Sequence, residues 1–338
     1  MSHIQRPTVA VTIPVFNGAR FIDQALASLV TQTAPVDEVI VVDDMSEDDS
    51  VARAERWSSV LPIRVFKNTK RSWSWRSRDV AIQHATAELI FQLDADDILL
   101  PQHVALMLEA YDRSPGLVTP RRMLLLESSV DRVPILFDER TPTKNEQLIQ
   151  LLLLNYVGIG SLFSKSDYLR IGGYHDYRIS GDWDLWLRMA AAGLTISRPE
   201  RRTYLYRMHS SNLSSSVDRR VTDIPILEKF LANCEDATLR RTARLSMMQR
   251  MGLRFFVGFD SQGESGAEFW DPDIGLIRIG DLTSDSERSL IIFEGKGDGD
   301  VVLKGHFNSG MEFKILEIGP ALQEVSCWPD YKYHFTTG

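Results

Sequence analysis

Cysteine is nearly absent from this chain: Cys234 and Cys327 are the only two in 338 residues. Two cysteines so far apart make neither a disulfide framework nor a metal-ligand spacing, which excludes the small secreted scaffolds held by such bonds. Long apolar runs are missing as well. No stretch approaches the ~20 residues that cross a bilayer, and the opening MSHIQRPTVAVTIPVF lacks the apolar core of a signal peptide. These absences predict a reducing, cytoplasmic setting. There is no fixed-period repeat and no low-complexity segment. The segment after the first apolar run, PVFNGARF, is not a Gly-rich phosphate loop.

A surplus of positive charge is also lacking. The net charge is −8, which argues against nonspecific nucleic-acid binding. The charge is unevenly spread. Residues 260–338 hold 15 acidic and 6 basic residues, whereas residues 195–259 hold 12 basic and 6 acidic ones. The basic band leaves an anionic surface or a phosphate-bearing acceptor open as a partner.

What is present is an alternation. TVAVTIPVF, DEVIVVDD, IRVFK and AELIFQLD read as strands, and ARFIDQALASLV, DSVARAERWSS and RSRDVAIQHA read as the helices between them. This rhythm predicts an α/β fold with a mostly parallel sheet between helices. Ligands of such sheets bind outside the carboxyl ends of the strands. Asn17, Asp43, Asp44, Asp94 and Asp96 all fall at those ends. Further helices are expected over TKNEQLIQLLLLNY, SGDWDLWLRMAAAG, DIPILEKFLANC and DATLRRTARLSMMQRM, with RTYLYRMH as a strand. Beyond about residue 253 short strand-like segments alternate with Gly, Asp, Ser and Asn, the pattern of a small antiparallel β region.

IFQLDADDILLP places three carboxylates within four residues after an apolar strand. Like charges this close raise each other's pKa unless compensated. A helix N-terminus near Pro101 is one compensator, and a hard divalent cation, Mg²⁺ or Mn²⁺, is the other. The residues alone leave both open. DD after the second strand is likewise a turn or cap by composition alone.

Four blocks together carry a resemblance. VTIPVFNGARFIDQALASLVTQTAPVDEVIVVDDMSEDDS, RSRDVAIQHATAELIFQLDADDILLP, IGGYHDYRISGDWDLWLRMAAAG and YRMHSSNLSSS occur in that order over roughly residues 7–217. The set closely resembles family 2 glycosyltransferases of the GT-A fold. That resemblance implies a metal-dependent, inverting transfer of sugar from a nucleotide-sugar donor, a UDP-sugar, to a hydroxyl of a glycan, lipid-linked or other acceptor. It implies Asp182 as the catalytic base, and Asp96 with His209 as ligands of Mn²⁺ or Mg²⁺. Asp44, with Asp43 beside it, would meet the base. Asp94 would meet the ribose or a metal-bound water, leaving Asp97 to cap the Pro101 helix. Pro14, Phe16, Asn17, Arg78 and Arg207 complete the donor side. Trp183 and Asp184 are assigned to the acceptor side, with Trp183 stacking on a sugar and Trp186 in the core.

The chain departs from the pattern twice. Gly181 stands where an acid is common, and KRSWSWRSRD, with Trp73 and Trp75, replaces a small Gly-containing stretch. The domains expected are a GT-A catalytic domain over 1–220, a helical connector over 221–253, and a β-rich region over 254–338 for acceptor binding or homo-oligomer formation. The arginines of DATLRRTARLSMMQRM fit either peripheral membrane contact or a packing helix with solvated charges, and we read the latter. The competing functions are a nucleotidyltransferase and a catalytically inactive sugar-nucleotide or glycan binder.

Overall fold

A computed structural model describes residues 6–126, 135–136, 142–209 and 219–250, and beyond them the short strands between 256 and 319. The chain divides into two compact units, Met1–Thr222 and Asp223–Gly338.

The first unit opens with β1 (Val9–Val15), α1 (Ile22–Val30), β2 (Glu38–Asp43), α2 (Ser50–Arg56), β3 (Ile63–Lys67), α3 (Trp73–His84) and β4 (Leu89–Gln92). Then come β5 (Ile98–Leu99), α4 (His103–Arg113), β6 (Gly116–Val118), β7 (Arg121–Leu126), β8 (Ile135–Leu136), α5 (Gln147–Leu153), β9 (Leu162–Ser164) and α6 (Lys165–Arg170). It continues through α7 (Gly181–Ala191), β10 (Thr195–Ser197) and β11 (Arg202–Met208). Seven strands form the main sheet in the order β10-β6-β9-β4-β1-β2-β3. Its β3-β2-β1-β4 half is parallel, as is the β10-β6 edge, and only β9 runs against its neighbours. A second sheet, β5-β11-β7-β8, carries the last strand.

The sequence explains the sheet's burial. Val39, Ile40, Val41 and Val42 of β2 are all fully buried, as are Val9, Ala10, Val11 and Ile13 of β1. A parallel strand is covered by helices on both faces and therefore reads as a continuous apolar run. Each such side chain contributes about 1.5–3 kcal/mol by leaving water. Pro14 is tolerated inside β1 because β4 pairs with β1 only as far as Thr12; beyond that register no neighbour on that side needs an N–H.

α3 begins at Trp73, three residues before the RSRDVAIQHA segment that carries its sequence signal. The cause is remote in sequence: Asp44 accepts from the N–H groups of Ser72 (2.8 Å) and Trp73 (2.9 Å), satisfying the helix start from the end of β2.

In the second unit α8 (Arg219–Ala232) and α9 (Ala237–Arg250) are joined by ion pairing. Arg250 Nε donates to Asp223 at 2.8 Å, and Arg240 donates to the carbonyls of Leu231 and Cys234 at the end of α8. Two arginines of the basic helix are thus engaged within the hairpin; the side chains of Arg241 and Arg244 lie outside the described residues. Among the described residues no helix is long and apolar enough to cross a membrane. β12 (Phe256–Phe259), β13 (Ser265–Asp271), β14 (Gly275–Gly280) and β17 (Lys314–Gly319) pair antiparallel in that order, and β15 (Phe293–Lys296) pairs with β16 (Asp300–Leu303).

His103, at the start of α4, is fully buried between Phe91 and Tyr204, with Nδ1 2.8 Å from the Thr203 hydroxyl. Burial lowers its pKa to about 3. The folded protein therefore refuses a proton that the unfolded chain accepts below about pH 6.5. Its contribution to stability is full above that pH and is lost as pH falls toward 3, at about 1.4 kcal/mol per unit. Urea midpoints at pH 7 and pH 5 should diverge more for the native chain than for His103→Gln; equal pH slopes would refute this.

Candidate active site

The site forms where the carboxyl ends of β1, β2 and β4 meet the start of α7 and the end of β11. Two loops are tied first. Asn17, held at a left-handed φ of 47°, donates its N–H to Ser46 Oγ (2.8 Å) and accepts from Glu47 N (2.8 Å). The loop after β1 is thereby fixed to the loop after β2. Phe16, 42% exposed, projects from the same turn, and the Arg71 guanidinium lies over its ring. Asp43 is buried and accepts from Ser46 N.

One oxygen of Asp44 accepts from Asn68 Nδ2 (2.9 Å) and Ser72 N (2.8 Å). The other accepts from Trp73 N (2.9 Å) and meets Arg71 Nε at 3.0 Å. A carboxylate offers about four lone-pair sites, and here all are committed to the 68–73 segment. Asp44 anchors that segment and α3.

The three acids after β4 separate into distinct environments. One oxygen from each of Asp94, Asp96 and Asp97 lies within 4.8 Å of the others. Asp97 is fully buried, and its oxygens accept from the Tyr204 hydroxyl and from Arg207 N (2.8 Å). Gly160, at φ +93°, makes room for the Tyr204 ring, which a Cβ there would strike. Burial, then the neighbouring Asp96 and Asp94 charges, push the Asp97 carboxyl well above the usual range. Asp97 was expected to cap the Pro101 helix; it instead locks the acidic loop to β11, because a buried carboxyl takes the nearest donors and β11 supplies them.

Asp96 is half-buried, with Oδ2 2.9 Å from His209 Nε2. His209 stacks at 4.7 Å on Phe21, at the start of α1. Burial and the Asp94 charge raise the Asp96 pKa, opposed by His209. The donor set suits a borderline cation: one carboxylate with free acceptor capacity and one imidazole, side by side, fit Mn²⁺ at least as well as Mg²⁺. Each Asp97 oxygen already accepts one hydrogen bond from β11. Arg207 is buried; it donates from Nε to the Asp96 carbonyl (2.7 Å) and from Nη2 to Gln24. It braces the loop backbone, which corrects its assignment to the donor side.

Asp94 pairs with Arg78, whose side chain is 8% exposed. Burial by itself would lower the Arg78 pKa, but the charges of Asp94, Tyr174 and Asp182 outweigh it and hold the guanidinium charged. Arg78 thus pairs with Asp94 and lies close enough to Asp182 for its charge to be felt there. Asp182, in the first turn of α7, accepts from Asn155 Nδ2 at 3.2 Å. Burial raises its pKa; Arg78 and the hydrogen bonds of Trp183 N and Asn155 oppose this, and the Asp94 charge adds to it. A carboxylate with raised proton affinity, partly open at a strand-end cleft, is suited to general-base work.

Two acceptor-side expectations are overturned. Trp183 is 1% exposed and its indole N–H donates to Leu151 O at 2.8 Å. It packs α7 onto α5 and offers no face to a ligand. Asp184 is also buried, accepting from Arg188 (2.7 and 2.9 Å) and facing His175 Nδ1 at 3.0 Å. Arg188 reaches on to the carbonyls of Ile171 and Gly173, so Asp184 fixes α7 against the preceding loop. The half-buried aromatics at the cleft are Trp73 and Trp75. A Cβ at Gly181 would touch the Trp75 Cβ at 3.4 Å. Gly181 and Trp75, the two departures from the family pattern, are thus neighbours in space. Asn155, after α5, carried no sequence signal: a lone Asn beyond a leucine run reads as a helix end.

A family model described as "Glycosyl transferase family 2" matches residues 10–172. The amylovoran biosynthesis glycosyltransferase AmsE of Erwinia amylovora is 25% identical over 179 residues, 51% of this chain and 65% of that relative's own length. Among solved structures, Staphylococcus aureus TarS 1-349 in complex with UDP-GlcNAc superposes with a TM-score of 0.59 at 16% identity, covering 72% of this chain and 73% of that one. A mannosyltransferase from Pyrobaculum calidifontis in complex with GDP-Man and Mn²⁺ gives 0.57 at 18% identity, covering 74% and 73%. The architecture is the GT-A fold.

Arg78 is the structural strut of this cluster. Breaking a buried pair by removing one partner costs about 3–5 kcal/mol. Arg78→Gln should lower stability by that order, and Arg78→Gln with Asp94→Asn should recover part of it. The measurement is urea denaturation followed by circular dichroism; an unchanged midpoint for Arg78→Gln would exclude the strut role.

Proposed function

We propose, from the match of residues 10–172 to the glycosyl transferase family 2 model, that the chain moves a sugar from a nucleotide-sugar donor to an acceptor hydroxyl with inversion. The observation that carries this reading is the cluster of acids after β4, with Asp94 paired to Arg78 and Asp96 paired to His209, together with Asp182 at the start of α7. A reaction that separates an anionic diphosphate from a sugar needs fixed positive charge on the leaving side and a base on the other.

Each residue then has a task. Pro14, Phe16, Asn17 and Asp43 line the nucleotide end, with the exposed Phe16 ring available to a base face. Asp94 meets the ribose or a metal-bound water while one of its oxygens holds Arg78. Asp182 takes the proton of the acceptor hydroxyl as its oxygen attacks the anomeric carbon, and the sugar–phosphate bond breaks on the opposite face. That is a single displacement. Asp96 and His209 would hold a divalent cation, which supplies Lewis-acid neutralisation of the diphosphate. UDP is the proposed nucleotide, and a glycan or lipid-linked saccharide the proposed acceptor.

The raised proton affinity of Asp182 sets the sign of the pH response. The base acts only when ionised, so transfer is lost as pH falls, with an apparent midpoint above that of an ordinary aspartate. Asp182→Asn should retain near-normal UDP binding while turnover drops by roughly 10²–10⁴. Asp96→Ala should instead remove Mn²⁺-dependent UDP binding with the fold intact. Donor titrations with initial rates decide this: an active Asp182→Asn enzyme would end the assignment.

We further propose a catalytic domain over 1–220, a helical connector over 221–253 and an acceptor-binding or oligomerising β region over 254–338. A chain ending near Leu253 should keep donor hydrolysis and lose either its oligomer, measured by light scattering, or transfer to the acceptor. Retention of both would remove that role from the β region.

A further inference from the structure

The segment KNTKRSWSWRSR, residues 67–78, contains five basic residues and no acid in a chain of net charge −8. Two are committed, Arg78 to Asp94 and Arg71 to Asp44. Lys70 and Arg76 stay exposed at the surface, Arg76 in a long, solvent-facing pair with Asp79 at 3.5 Å. A further exposed cation comes from another element. Arg178, in the loop that leads into α7, lies over the Trp73 ring at 4.0 Å, and Arg71 reaches the same ring at 5.6 Å. Arg71 has Asp44 as its counter-ion, which leaves Arg178 as the exposed cation on this indole, placed to meet an anion beside the ring. Beside them Trp75 packs on Gly181, next to Asp182, and its buried indole N–H has no acceptor. Trp73 itself is held at φ 66°, a conformation rare for a bulky residue.

We propose that this cluster makes the acceptor side selective for anionic saccharides, carrying a phosphate or a carboxylate, with an indole against the sugar ring and Arg178 and Arg76 on the charge. The inference rests on the reading of Asp182 as the base, since it places the acceptor on the α7 side of Arg78. A guanidinium pairs with either oxyanion through charge-assisted hydrogen bonds, and an aromatic face next to it suits a sugar that bears one. Electrostatic selection of this kind weakens with salt.

The test is calorimetric titration of the full chain with three probes: maltotriose, trigalacturonate and a phosphorylated maltotriose, at low and at high salt, alongside UDP with Mn²⁺. At least one anionic probe should bind roughly tenfold more tightly than maltotriose at low salt, and Arg178→Gln should lose about that factor. UDP affinity should stay unchanged in that exposed-site variant. The difference between the two anionic probes tells phosphate from carboxylate. Equal binding of maltotriose, or no binding of either anionic probe while UDP still binds, overturns the acceptor inference and leaves the glycosyltransferase reading standing. An Arg178→Gln variant that loses UDP affinity instead assigns the cluster to the donor and equally overturns it. If the native chain fails to bind UDP at all, the underlying reading fails first.

Discussion

One guanidinium holds the cleft together. Asp94 ends β4 and Asp182 starts α7, on elements that share no ladder, and both carry negative charge into a buried setting. Without a cation near them, burial and mutual repulsion would drive one carboxyl to its neutral form. Arg78 supplies that cation from α3, and α3 is itself placed by Asp44 at the end of β2. The strand ends, the helix and the candidate base are thus linked through alternating charges. The order of this chain of contacts matters: an acid anchors a helix, the helix delivers a base, and the base fixes two more acids. A site built this way has little slack, because shifting any member strands a buried charge.

The same logic separates what the sequence discloses from what it hides. The parallel half of the sheet was readable because Val39–Val42 and their counterparts in β1 are apolar on both faces, a signal local to each strand. The clustering of acids at strand ends was readable for the same reason. Trp183 was not: it is buried along with Trp186, and the Leu151 carbonyl that takes its indole N–H lies 32 residues away. The partners of Asp44, Asp97 and Arg207 were not readable, because a polar residue's partners lie far off in sequence. Asp97 meets Arg207 across 110 positions and Asp44 meets Trp73 across 29. Local pattern identifies where polar groups collect; it does not divide them between those that hold the loop and those left open to a ligand.

Backbone strain follows the same boundary. Four described non-glycine residues have left-handed φ: Asn17, Met45, Trp73 and Ser180. They lie after β1, after β2, at the start of α3 and immediately before α7, the four approaches to the cleft. Each costs of order 1–3 kcal/mol and persists only where its surroundings fix it. Asn17 has its two hydrogen bonds across loops, and Trp73 has the Asp44 carboxylate. The rigid sheet lies beneath, and the strained turns lie where a ligand would approach.

The pairing of His209 with Asp96 has a consequence for how the chain comes into being. The two are 113 residues apart, and Gln24 is 183 residues from the Arg207 that braces them. A ribosome adding roughly 5–20 residues per second exposes the acidic loop some 6 to 20 seconds before β11 is made. During that interval β1 to β4 can pair, since their contacts are near in sequence, while Asp94, Asp96 and Asp97 wait without Tyr204, Arg207 or His209. Closing a loop of that length is slow relative to local contacts. The nascent protein can therefore hold β1 to β4 paired while its acids are still open to water and to free cations. The last strand to arrive converts that stage into the finished cleft.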